Sequence, residues 1–124
     1  MEDAMWIATQ NGFFSVVAKS SQPDMIKVRA RLRSDLEELR DTYFPGAEIY
    51  DTPHRDYQCR LFCSREHLAE AMGNIARDLE YTNFKAHVGQ KQGYARASLY
   101  GKVWSIMHRL IGLGKDNGPP RLRF

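Results

Sequence analysis

Two runs of strand-forming residues, Met5 to Gln10 and Phe13 to Ala18, flank Asn11-Gly12, the dipeptide that a two-residue type I′ hairpin requires. That turn predicts Gln10 opposite Phe13, Ala8 opposite Ser15 and Trp6 opposite Val17. Because side chains alternate along a strand, one face of the ribbon then carries Trp6 and Phe13 and the other carries Ile7, Phe14 and Val16. Ser20 to Asp24 has loop chemistry, and Met25 to Arg31 alternates again: Ile26, Val28 and Ala30 point one way, Lys27, Arg29 and Arg31 the other. Leu32, Leu36, Leu39 and Tyr43 then recur at helical spacing, with Ser34 and Glu37 placed as a capping box and Pro45-Gly46 as the stop.

Glu48 to Asp51 reads as a short strand and Thr52 to Asp56 as a turn. Tyr57 to Cys63 reads as a further strand, with Tyr57, Cys59 and Leu61 inward and Gln58, Arg60 and Phe62 outward. Ser64 is placed to cap a helix whose stripe is Leu68, Met72, Ile75 and Leu79. Breaks are expected at Tyr81 to Phe84 and at Gln90 to Gly93. From Tyr94 to Ile111 the pattern is helical but unusually apolar. Leu99, Val103, Ile106 and Leu110 form one stripe, expected to satisfy a core, and Tyr100, Trp104, Met107 and Ile111 a second beside it that needs another contact, leaving Ser98, Lys102, Ser105 and Arg109 as the polar strip.

Three strands, a helix, two strands and then helices predict an α+β fold: an antiparallel sheet of about five strands with helices on one face, a ferredoxin-like or related two-layer sandwich. A C-terminal helical region follows. One domain is expected over residues 1–111, with 112–124 as a flexible basic tail rich in Gly and Pro. At 124 residues, 43% apolar and 27% charged, the chain has the composition of a globular protein able to bury one core. No apolar run reaches bilayer-spanning length, and Met1-Glu2-Asp3 opens without a signal-type segment, so a cytoplasmic protein with no membrane partner is expected. Cys59 and Cys63 lie four apart in a strand, too far for a disulfide, and are expected as reduced thiols.

Charge changes this picture. From Phe84 onward there are eight Lys or Arg against one acid, Asp116, a formal +7, whereas residues 1–83 hold ten bases and fourteen acids, a formal −4. Clustered positive charge makes a local field that suits an anionic partner. The alternative is a solvated basic helix and tail.

Three constellations are candidates for chemistry. The outer sheet face collects Trp6, Phe13, Lys27, Arg29, Arg31, Arg60 and Phe62, aromatic rings interleaved with cations, which suits stacking on bases and pairing with phosphates. With Lys102 and Arg109 of the last helix it forms the candidate nucleic-acid-binding set. Tyr100, Trp104, Met107 and Ile111 form a candidate protein interface, for a homodimer or another protein. Asp51, His54 and Asp56 could serve acid-base chemistry, but no kinase, Walker, dinucleotide or nucleophile-elbow motif accompanies them, and a salt-rich turn is the simpler account. No catalytic residue is assigned. His and Cys show no structural-zinc spacing, so no metal and no cofactor are expected.

Met5-Trp6 through Gly12-Phe13-Phe14-Ser15-Val16-Val17, Val28-Arg29-Ala30-Arg31 with Asp35-Leu36-Glu37, Asp56-Tyr57 and Tyr81 to Lys85 together resemble a group of small bacterial or phage-associated proteins with no assigned activity. The likeness runs from about Met5 to Leu110. It implies a compact stand-alone domain and transfers no functional residue. The expected function is a non-enzymatic binding module for nucleic acid or a nucleoprotein. The alternative is a protein-interaction or inhibitory module working through the last helix, and an enzyme at the His54 loop comes third.

Overall fold

The computed structural model describes residues 4–117. Five strands, β1 (Met5–Thr9), β2 (Gly12–Lys19), β3 (Gln22–Ala30), β4 (Tyr50–Asp51) and β5 (Cys59–Ser64), form one antiparallel sheet in the order β1-β2-β3-β5-β4. Helices α1 (Arg33–Tyr43) and α2 (Arg65–Arg77) pack on the same side of it. The α+β architecture is therefore the one the alternation predicts. Val28, Leu61, Phe14, Ala30 and Cys59 from the sheet meet Leu36, Leu39, Tyr43 and Ala71 from the helices in one buried cluster. Burial of such side chains is worth about 1.5–3 kcal/mol each for the larger ones, and the alternation places them all on one face. Gaps in this core are small: a cavity of about 10 Å³ beneath Phe14, Val16 and Val28 is lined by apolar groups and has room for no more than one water.

The hairpin register differs from the Asn-Gly expectation by two residues. Thr9 pairs with Gly12, Ala8 with Phe13 and Trp6 with Ser15, so the loop is Gln10-Asn11. Thr9 Oγ1 accepts from Asn11 N at 3.0 Å, and Asn11 Nδ2 reaches Glu38 at 3.3 Å, which holds Asn11 in the turn. Because the shift is even, every side chain stays on its expected face. Gly12 is required for another reason: its φ is +148°, and a Cβ there would overlap the Asp35 carboxyl. Asp35 in turn accepts the Phe13 backbone N–H at 3.2 Å, tying α1 to the hairpin.

The capping box at Ser34 does not form. The helix begins two residues earlier, with Leu32 at the cap position and no side-chain cap bond, and Asp35 in the first turn faces the hairpin instead. Ser64 caps α2 as expected, accepting from His67 N at 3.0 Å. Tyr57 is a further correction. The strand starts at Cys59, so the alternation that would turn Tyr57 inward does not reach it.

By backbone contacts the chain divides into two units, Met1–Glu80 and Tyr81–Phe124. In the second, α3 (Phe84–Gln92) and α4 (Tyr94–Met107) form a helical hairpin joined at Gly93, whose φ of +97° ends one helix and starts the next. Asn83 Oδ1 accepts from Ala86 N at 3.0 Å as the α3 cap. A break at His108-Arg109 separates α4 from α5 (Leu110–Asn117), so the chain is helical through Asn117 rather than irregular from Gly112. The tail expected beyond that falls on residues 118–124, outside the described residues. No helix among the described residues is long and apolar enough to cross a membrane.

Two outcomes follow for stability. Gly12→Ala will cost more than about 1 kcal/mol, from the positive φ and the overlap with Asp35. Thermal melts of Gly12→Ala, Asp35→Gly and the double variant will show less than additive losses, because removing the whole Asp35 side chain, Cβ included, clears the overlap. Tyr43 donates to Asp78 at 2.8 Å, and burial, aided by that bond, pushes its phenol up to about 12. A raised folded value means the folded state holds this proton more tightly. Its contribution is therefore complete below about pH 10 and lost between roughly pH 10 and 12. Tyr43→Phe will lose about 1 kcal/mol at neutral pH and flatten that alkaline decline in denaturant titrations.

Candidate functional site

One row of side chains crosses the outer face from edge to edge. Trp6 lies opposite Ser15, Ser15 opposite Arg29, Arg29 opposite Arg60, and Arg60 opposite Tyr50. The ends of the row are open, with Trp6 70% exposed, while Arg29 and Arg60 at its centre are only 6% and 8% exposed. Two guanidinium groups directly opposite on a sheet repel, so this arrangement needs compensating partners. Arg29 Nη2 donates to Ser15 Oγ at 2.7 Å and its guanidinium lies 4.7 Å from the centre of the Tyr57 ring. Arg31 covers the same ring at 4.5 Å, and Arg60 Nη2 donates to Thr52 Oγ1 at 3.4 Å. Tyr57 is thus a cation–π partner of two arginines on the outer side.

Arg31 also forms a two-point pair with Asp56, at 3.2 and 3.0 Å. That hydrogen bond holds the Asp56 carboxyl below the usual carboxylate range. Beside the row, Trp6 and Phe13 lie 6.3 Å apart, Phe62 meets Tyr50 edge-on at 5.7 Å, and Lys19 Nζ sits 5.2 Å from the Phe62 ring. Lys27 is half-buried between Val17 and Phe62 in the register. The structure therefore brings together all seven sheet-face residues expected from sequence, but as a lattice of internal contacts in which the central arginines are buried. Ser15, Tyr50, Thr52 and Tyr57 belong to it as well. Ser15 was legible from its register opposite a cation, whereas Tyr57 and Thr52 lie in a loop where alternation gives no direction.

The His54 loop is tied in the same way. Asp51 accepts from Arg33 at 2.7 Å, Asp56 from Arg31, and Thr52 Oγ1 donates to Tyr57 O at 2.8 Å. His54 is exposed, with both nearby carboxylates held by arginines. Among the described residues no group of three or more His, Cys, Asp or Glu could hold a metal ion. Cys59 and Cys63 are free and buried, and burial pushes both thiols up, Cys63 to about 11, which makes them poor nucleophiles.

In the second unit several cations stand outward, whereas Arg96 is half-buried and donates to Gln92 Oε1 at 3.0 Å. Lys85, Lys102 and Arg109 are exposed. Tyr100 stacks on Phe84 at 5.9 Å with 8° between planes, and Tyr81 stacks on His87 at 4.6 Å, so these rings fasten the helical hairpin. Trp104, Met107 and Ile111, the remaining expected interface residues, are exposed, and so are Leu99, Val103, Ile106 and Leu110, the stripe expected to be core. The only buried residues of the described part of this unit are Val88 and Ala97. The chain matches no protein-family model, no curated protein and no solved structure.

The burial contrast predicts opposite outcomes for neighbouring arginines. Arg29→Ala removes a charge-assisted hydrogen bond and a buried cation–π contact and will destabilise the fold by about 2 kcal/mol or more. Arg31→Ala removes an exposed ion pair and an exposed cation–π contact with Tyr57 and will cost no more than about 1 kcal/mol. Calorimetry on the two variants checks this.

Proposed function

We propose that the chain is a binding module for nucleic acid, and that it makes its phosphate contacts through the basic second unit rather than through the centre of the sheet. The observation that carries this reading is the outward set Lys85, Lys102 and Arg109 in a segment, 81–124, that has eight bases and one acid. Phosphate contact needs a cation that can trade water and counterions for the ligand, and these side chains can. Arg29 and Arg60 would first have to leave Ser15, Thr52 and the Tyr57 ring. Tyr94, 84% exposed at the start of α4, offers a ring for base stacking in the same unit. Trp6, 70% exposed, is the most open ring of the sheet face. A cytoplasmic setting goes with this reading.

Binding of a labelled single-stranded oligonucleotide at several salt concentrations tests it. Reversing both charges in Lys102→Glu/Arg109→Glu will weaken binding and reduce the slope of log K against log salt by roughly one per residue changed. Arg31→Ala will leave the slope where it was. A slope that responds to Arg31→Ala and ignores the double reversal would return the phosphate contacts to the sheet.

A further inference from the structure

Nucleic acid does not account for the apolar side of the second unit. Leu99, Val103 and Ile106 sit on the face of α4 turned away from α3, since Ala97, Tyr100 and Gly101, which meet α3, lie roughly opposite on the helix. Met107, Leu110 and Ile111, also exposed, follow in sequence across the His108-Arg109 break into α5. Every one of these six, with Trp104 and Leu113, leaves half or more of its surface exposed, from 51% at Leu113 to 72% at Ile111. An apolar helix of this kind is stable in water only when something covers it.

We infer that the cover is a second copy of this chain, packed α4–α5 against α4–α5 across a twofold axis. Area is the first argument. Trp104 belongs to the Tyr100 stripe, and without it seven large side chains, at on the order of 100 Å² each, offer about 700 Å², within the share of roughly 600–1,000 Å² that one partner gives to a standard interface. Composition is the second: the arc has no acidic residue, and its cations, Lys102 and Arg109, flank it rather than interrupt it, which is the apolar centre and charged rim of a homodimer interface. A self-complementary apolar patch closes most simply by twofold pairing. Two units of formal +7 then repel through the rim, so added salt tightens the pair. This inference stands apart from nucleic-acid binding, which added salt weakens.

Sedimentation of the full chain over a micromolar concentration series, in low and in high salt, reads the proposal directly. The expected result is a reversible monomer–dimer equilibrium that salt shifts toward dimer. Val103→Asp and Ile106→Asp, each setting a charge in the arc, will weaken it at least tenfold and will melt like wild type at concentrations where both are monomeric, since both positions are exposed in the monomer. A wild type that stays monomeric throughout overturns the inference. So does a pair of Asp variants that dimerise like wild type, or that unfold, which would make the arc core. A chain that remains monomeric yet floats with vesicles containing anionic lipid, in a manner that salt abolishes, would assign the arc to a lipid surface instead.

Discussion

A sheet with helices on one face has a second face to satisfy, and here the chain satisfies it with its own cations. Arg29 and Arg60 lie side by side at the centre of five strands, buried, and are tolerable there because Ser15, Thr52 and the Tyr57 ring receive them. The long stems of Arg and Lys cover apolar sheet surface while their heads find partners, which is why Ser15 and Val17 are buried on a side with no helix in the first unit. From that closure follow the ordering of the Thr52 to Tyr57 loop, the pairing of Arg31 with Asp56, and the restriction of open aromatic surface to the sheet's edges.

Much of the first unit was legible because period-two and helical alternation survive small errors. The hairpin slipped by two residues relative to the turn rule, yet Phe14, Val16 and Ile7 kept their face, since only an odd slip would have inverted them. What misled was local chemistry under tertiary control. Ser34-Glu37 has the spacing of a capping box, but Asp35 is drawn to the Phe13 amide and Gly12 makes the space for it, so the helix starts elsewhere. Tyr57 was misdirected because alternation was extended two residues before the strand begins.

The candidate site was legible as a set and not as an arrangement. Sequence placed Trp6, Phe13, Lys27, Arg29, Arg31, Arg60 and Phe62 on one face, and they share it. Charge type cannot tell a cation offered to a ligand from one folded over a neighbouring ring, because the difference lies in Tyr57 and Ser15, residues with no charge signature. In the last helix the two-stripe pattern correctly marked a surface too apolar for one core, while assigning Leu99 and Val103 to burial left out that the described part of this unit buries only Val88 and Ala97.

The division of labour between a self-closed sheet and an outward-facing basic unit is tested most directly by backbone NMR of the full chain during titration with a single-stranded oligonucleotide. The account predicts shift changes that concentrate between Lys85 and Arg109, with the amides of Ser15, Arg29 and Arg60 unmoved. Changes centred on Ser15, Arg29, Arg60 and Tyr57, with the second unit silent, would contradict it.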